Sequence, residues 1–382
     1  MANGPRRLDF SLFLRRKPLD LVLLTGLTAM AFVAVEGMSR IYDGQQTSLA
    51  ERWSARGNAD LKAHNFRAAV VDFRTSLLYA RDNGVYQLDL AEALLGMKRT
   101  DEAYNYLINL WDREPENGLV NLELARISAQ RKDRDRALRF YHDAIYATWP
   151  GDQEAETQNC RLELIHFLLS SRALPQAQAE LMALAANVPD NSPEQVQLGQ
   201  LFLQTQGYQQ ALAAFRLGLR SNRRDHAAML GAGIAAFQLG LYPTAERYLR
   251  DAVYTSPHDA QSVAWLKKAQ SVLETDPYLP DLSQAQRNRI ALNAFATAGS
   301  RLKACPAQGS PTLPATVLQG LEQQWTKLKP QVTEWRLRRT PDLVNAAMDL
   351  AFQIERQTVI GCGAPTEADQ ALLLIANLHE EN

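Results

Sequence analysis

Cysteine is scarce in this chain, with three among 382 residues, too few for a disulfide framework. Glycine (20) and proline (17) are also sparing, while the helix formers Ala, Leu, Gln and Arg abound, so an all-α fold is expected. No sign of charge prevails. The formal net charge of −1 lacks the basic excess of a nucleic-acid binder, and none is expected as a partner. Long hydrophobic runs are missing everywhere except near the N-terminus. Signatures of chemistry are missing too: there is no phosphate-binding loop, dinucleotide fingerprint or nucleophile elbow. His379-Glu-Glu381 lacks the second histidine of a zinc motif. His64, His142, His166, His226 and His258 stand singly, as surface or core histidines usually do. No catalytic, metal-ligating or cofactor-binding residue is therefore assigned, and no cofactor or enzymatic activity is expected.

What is present is a globular composition, 46% hydrophobic and 22% charged, long enough for two or three domains or one repeat array. Residues 19–38 form an apolar run without a charge between Asp20 and Glu36. As a helix it spans about 30 Å, close to the hydrocarbon thickness of a bilayer. Arg6, Arg7, Arg15, Arg16 and Lys17 precede it, against Arg40, Arg52 and Arg56 soon after it. The bias predicts a single-pass anchor: a cytoplasmic basic tail over 1–18, a transmembrane helix over 19–38 and the remainder across the membrane. A cleaved signal peptide and a buried core helix are the alternatives. Ala29-Met-Ala31 lies inside the run and Val35-Glu-Gly37 is a poor cleavage match, while the abrupt basic flank argues against a core helix.

The most specific signal is a period of 34. Gly57, Ala91 and Ala125 recur at that spacing, as do Ala69, Ala103 and Ala137. Ala177, Ala211 and Ala245 repeat it after a gap of 40, which places a six-residue insertion near Trp149 to Asp152. Gly199 and Gly233 keep the same phase. The units also carry Phe73, Tyr141 or Phe215 four residues after the second alanine, and Pro115, Pro189 or Pro257 at their ends. Small residues let paired helices approach, an alanine and an aromatic four apart share one helix face, and proline stops the second helix.

This pattern resembles the tetratricopeptide repeat over a little more than half of the chain. The resemblance implies a right-handed α-solenoid of about six repeats over 49–275, reached through a linker at 39–48 and closed by a capping helix over Ala260–Thr275. It also implies a groove lined by the first helix of each repeat. By phase, one row of that wall is Asn58, Glu92, Arg126, His166, Gln200 and Ile234. A neighbouring row includes Lys62, Gln130, Gln204 and Gln238. These rows carry little net charge and lack the Lys/Asn/Arg clamp with which some family members hold a C-terminal carboxylate. An extended peptide or a folded helical partner is the implied ligand, unless the protein's own C-terminal domain fills the groove.

From Asp276 the phase is lost, and 276–382 reads as a small helical domain. A capping box at Ser283 and Gln286 opens one helix; others are expected over 315–329, 332–338, 340–359 and from Thr366 to about 380. Cys305 and Cys362 fall at helix ends. In an oxidising compartment a bridge between them closes a loop of 57 residues, contributing about 3–4 kcal/mol; two independent buried thiols are the alternative. Cys160 reads as a small apolar core residue. Two basic clusters stand out. Arg131, Lys132, Arg134, Arg136 and Arg139 are interleaved with acids as on a solvated face. Lys327, Lys329, Arg336, Arg338 and Arg339 surround Trp325 and Trp335, which suits either a solvated face or a docking surface.

Three functions fit: a scaffold anchored in the inner membrane of a bacterial envelope with its repeats in the periplasm, an enzyme with a catalytic C-terminal domain and substrate-selecting repeats, and an organellar import receptor with cytosolic repeats. The first is preferred.

Overall fold

The computed structural model describes residues 18–305, 309–310, 313–359 and 361–380, with side chains from Val22 onward. Arg6, Arg7, Arg15, Arg16 and Lys17 lie outside the described residues. Among the described residues the chain is all-α apart from a two-residue antiparallel ladder, β1 (Gly309–Ser310) with β2 (Leu313–Pro314). It divides into two compact units inside one helix, between Leu164 and Ile165.

The first unit begins with α1 (Pro18–Lys62), an unbroken helix of 45 residues, about 67 Å at 1.5 Å per residue. Residues 39–48, read from the sequence as a linker, continue this helix without a turn. From Val22 to Leu49 no side chain is buried, and the helix is long and apolar enough to cross a membrane. Ala50, Ser54 and Gly57 then bury one face at helical spacing against α2 (Phe66–Tyr79). Two hairpins follow: α3 (Gly84–Gly96) with α4 (Thr100–Trp111), and α5 (Gly118–Gln130) with α6 (Arg134–Tyr146). The unit ends within α7 (Gln153–Ser170).

The second unit takes the rest of α7 and adds α8 (Leu174–Ala185), α9 (Glu194–Gln204), α10 (Tyr208–Ser221), α11 (His226–Gln238), α12 (Tyr242–Thr255) and α13 (Ala260–Thr275). Then come α14 (Gln284–Lys303), α15 (Ala315–Leu328), α16 (Glu334–Arg339), α17 (Asp342–Thr358) and α18 (Glu367–Glu380). The capping box of α14 forms, with Ser283 and Gln286 bonding each other's backbone amides. The short α16 starts at Glu334 rather than at Val332, whose side chain is buried.

The period of 34 is visible in the backbone. Each turn between a first and a second helix holds one residue at positive φ: His64 (59°), Lys98 (61°), Lys132 (60°), Arg172 (56°), Gln206 (61°) and Gly240 (72°). The next residue's amide reaches back five positions to a carbonyl, from Asn65 to Asp60 (2.8 Å), Asp133 to Ser128 (3.0 Å) and Leu241 to Ala236 (2.9 Å) among the six. These bonds satisfy carbonyls that a helix end leaves open. Asn83, Asn117, Asp225 and Asp259 cap the start of first helices, and each side chain accepts a backbone N–H.

The in-phase small residues sit at contact points. Ala69, Ala91, Ala103, Ala125, Ala137, Ala177, Ala211 and Ala245 are all buried. A Cβ on Gly57 would fall 2.8 Å from Phe73, one on Gly199 2.7 Å from Phe215, and one on Gly233 2.5 Å from Leu249. The Phe215 ring also covers Gly231 of the next hairpin, where a Cβ would meet it at 2.2 Å. One aromatic ring thus locks its own pair of helices and the pair that follows.

The insertion after α6 is ordered. Trp149 lies over Gly118, where a Cβ would come within 2.4 Å of the indole, and its Nε1 donates to the Ala144 carbonyl at 2.9 Å. Gln153 holds the loop by accepting from the Trp149 amide (2.9 Å) and donating to the Ala147 carbonyl (2.8 Å).

In the second unit the last five helices close over the end of the repeats. α18 packs on α13, Lys267 pairs with Glu367 at 2.8 Å, and Leu378 sits beside Gly240. Cys305 and Cys362 are bonded to one another, with their Cα atoms 4.4 Å apart. The same loop is held by buried Arg301, which donates to the carbonyls of Thr358 (3.0 Å), Gly363 (2.8 Å) and Ala364 (3.0 Å). Cys160 is a free thiol in the core of the first unit, pushed up to about 12 by burial and then by the charge of Glu163, so it is inert at neutral pH.

Candidate partner-binding wall

First helices of successive repeats lie side by side in the first unit. Asn58 of α1 donates to Asp89 of α3 at 3.4 Å, and Arg126 of α5 donates through Nε to Glu163 of α7 at 2.9 Å. A second guanidinium nitrogen of Arg126 also meets Glu163, and a third meets Glu123. The row expected from phase is therefore assembled here as Asn58, Glu92 and Arg126, with Lys62 and Gln130 exposed beside it.

A third row, which the phase reading passed over, adds Asp89, Glu123 and Glu163. Its signal was available: Asp89 and Glu123 are 34 apart, and Glu163 follows after 40, the same step that separates Ala137 from Ala177. With Glu92 this row sets four carboxylates against the one guanidinium of Arg126. The two rows expected from phase carry little net charge in the first unit, and the acidic excess of the wall comes from this third row.

Burial sets the electrostatics of these carboxylates first, and charge second. Burial raises the pKa of Asp89, against the lowering effect of the Asn58 amide. Glu92 is raised by burial and by the charge of Asp89. Glu123 is raised by burial first; Arg126 opposes this, and Glu92 and Glu163 add to it. Arg126 is held more firmly protonated by its hydrogen bond to Glu163. Tyr141, behind the row, is pushed up to about 12 by burial and by Glu163. A cation arriving at this wall would relieve carboxylates that are short of positive charge. A cavity of about 380 Å³ opens beside it, lined by Leu95, Lys98, Thr100, Glu123, Ile127 and Gln130.

The second unit presents a different surface at the corresponding phase. His166, Gln200, Gln204 and Gln238 are exposed and Ile234 is half-buried. Gln197 and Gly231 stand where the acid row would continue. Among the described residues no group of three or more His, Cys, Asp or Glu is arranged to hold a metal ion.

Among solved structures, the chain is similar to YrrB, a tetratricopeptide-repeat protein with an unusual peptide-binding site, at 13% identity and a TM-score of 0.41, covering 51% of this chain and 97% of that one. It is similar to PilF of Pseudomonas aeruginosa at 16% identity and a TM-score of 0.39, covering 59% and 99%. PilW, a type IV pilus biogenesis factor, shows 16% identity and a TM-score of 0.39, covering 57% and 98%. Likeness at this level carries no function across. A comparison with curated protein sequences finds no match. Two family models described as tetratricopeptide repeat match residues 94–148 and 196–260, one stretch in each unit. Six in-phase hairpins with buried small residues at their contacts agree with those matches, and the chain carries tetratricopeptide repeats in both of its units.

Proposed function

We propose that this protein is a single-pass scaffold of the bacterial cell envelope that retains a partner protein by a basic segment laid on the acidic wall of its first unit. The repeats make it a protein–protein interaction scaffold with a protein or peptide partner. The membrane setting and the charge of the partner are the proposal. The observation that carries it is the row Asp89, Glu92, Glu123 and Glu163, four carboxylates of which Glu123 and Glu163 share the guanidinium of Arg126. Burial comes first in raising the carboxyl pKa of Asp89, Glu92 and Glu123, and neighbouring carboxylates add to it at Glu92 and Glu123. The exposed apolar length of α1 supports an anchor in the inner membrane, and the excess of basic residues before it supports a cytoplasmic N-terminus with the repeats in the periplasm. No group of catalytic character carries the function in this reading.

The test is fluorescence anisotropy of a labelled lysine–glycine repeat peptide against the full chain held in neutral phosphatidylcholine nanodiscs. Glu123→Gln/Glu163→Gln should weaken binding about tenfold, since partly exposed charge pairs contribute up to about 1 kcal/mol each. Gln200→Ala/Gln204→Ala should leave it unchanged. Equal affinity of wild type and the wall variant would refute the assignment. For topology, Cys160 is buried and Cys305 and Cys362 are bonded, so in opened membranes an impermeant thiol reagent should find no thiol until denaturant exposes Cys160, and should reach Cys305 and Cys362 only once reductant is added.

A further inference from the structure

A second charged surface lies entirely within the second unit and has no part in the wall. The short α16 packs on α14, with Leu337 buried, and presents Trp335, Arg336, Arg338 and Arg339 to solvent. Trp335 is 61% exposed, and the Arg339 guanidinium lies 4.1 Å from the indole centroid. Further along α14, Trp325 stacks on Phe295 with its ring nearly parallel, at 12°. The ammonium groups of Lys303 and Lys329 come within 5.2 and 4.6 Å of that one indole. Two like charges are thereby gathered on one ring.

The cations of this face are unanswered. Arg338 pairs with Glu334, but Lys303, Lys327, Lys329, Arg336 and Arg339 make no ion pair among the described residues. Glu322 and Asp342 are the other acids nearby in sequence, and Asp349 shares a shallow cavity with Lys327. In the first unit Arg56, Arg74, Arg99, Arg126 and Arg131 meet carboxylates, whereas on this face, among the described residues, only Arg338 does. Five exposed cations lack a carboxylate partner, and three of them (Lys303, Lys329 and Arg339) are held over two indoles, which gives a chain of net charge −1 a locally basic surface.

We propose that this face docks on an anionic phospholipid bilayer. An indole that stands out from a basic surface suits the headgroup level, where Trp is enriched. Three of the five free cations are lysines, mobile point charges that suit a diffuse field of phosphates better than the fixed fork geometry used for one carboxylate. Arg339 is restrained against Trp335, so its charge and the ring would enter the interface together. The chain's own membrane-length helix keeps a bilayer at high local concentration.

The experiment uses the full chain with α1 embedded in phosphatidylcholine nanodiscs, floated with separate vesicles of phosphatidylcholine either pure or containing one-quarter phosphatidylglycerol. The nanodiscs should float with the anionic vesicles and not with the neutral ones. Arg336→Gln/Arg339→Gln should cut capture about 25-fold, about fivefold for each cation removed. Arg336→Lys/Arg339→Lys, which keeps both charges, should retain most of it. Near-ultraviolet circular dichroism checks that the variants are folded, as expected for exposed positions. Equal capture by both vesicle types, capture by neither, or undiminished capture of the glutamine variant would overturn the proposal. Binding of soluble polyglutamate with the same dependence on Arg336 and Arg339, without capture of anionic vesicles, would do so too and would point to an acidic polypeptide instead.

Discussion

Replacing Cys362 with Ser opens a covalent loop of 57 residues between α14 and the bend after α17. In the chain-entropy description, closing a loop of that length removes about 4 kcal/mol of freedom from the unfolded chain. The native state should change little when the bond is lost. Arg301 holds the same segment through three carbonyls, and the Cys362 amide is tied to the Thr358 carbonyl at 3.1 Å. The cost should therefore approach the entropic figure rather than exceed it through collapse of the site. In a unit spanning residues 165–382, about 4 kcal/mol corresponds to a melting shift of about 8–16 °C. The assay is thermal melting of the full chain in nanodiscs, oxidised and with reductant, followed at near-ultraviolet wavelengths. Reduced wild type, Cys305→Ser and Cys362→Ser should melt together, well below oxidised wild type. Coincident oxidised and reduced melts would refute the reasoning, because the bridge would then add nothing beyond what Arg301 already secures.

Burial, and then the charge of Asp369, pushes the carboxyl of Glu355 up to about 8, with Arg301 opposing. A carboxyl raised on folding costs nothing below its unfolded value of about 4.3, and destabilises increasingly as pH rises from there to about 8, where the cost levels off. Glu355→Gln should thus match wild type near pH 4 and exceed its stability at pH 8 by on the order of 5 kcal/mol, as read from denaturant melts across pH. Gly199→Val and Gly233→Val drive side chains into Phe215 and Leu249 and should each cost about 1–3 kcal/mol in urea unfolding, whereas Gly320→Ala, inside a helix with open space around it, should stabilise by about 0.5–1 kcal/mol. Lys98 and Lys132 hold positive φ without being glycine, so Lys132→Gly should raise stability by about 1 kcal/mol rather than lower it.

The sequence made the repeats legible because their contacts are made by residues that tolerate no substitute. Gly57, Gly199 and Gly233 meet rings or branched chains at distances that exclude a Cβ, so their spacing survives as a pattern. The insertion was legible as a gap of 40, though not its content: nothing in the sequence announces that Trp149 folds back onto Gly118. The continuity of α1 was hidden because Gln45-Gln-Thr-Ser48 looks like a linker. A solvated helix needs no apolar periodicity, and the folded hairpin at one end stabilises the helical turns leading into it. The Arg301 clamp was invisible for another reason. Its acceptors are backbone carbonyls, which every sequence carries alike.

The acid row lies on the wall without being required by the fold. At the same phase in the second unit, Gln197 and Gly231 serve hairpins whose buried contacts are equivalent. Charge and packing are therefore separable, and the charge costs stability. Glu123 has its pKa raised by burial in spite of Arg126, so above its unfolded pKa the ionised carboxylate favours the unfolded chain. Glu123→Gln removes that cost while keeping the shape of the side chain. It should melt at or above wild type at pH 7, with the difference vanishing near pH 4, and should bind the lysine–glycine peptide more weakly. A residue kept for folding would show the opposite: lower stability with unchanged binding. That outcome at Glu123 would make the row a structural ion network around Arg126 and remove the reason for expecting a basic partner.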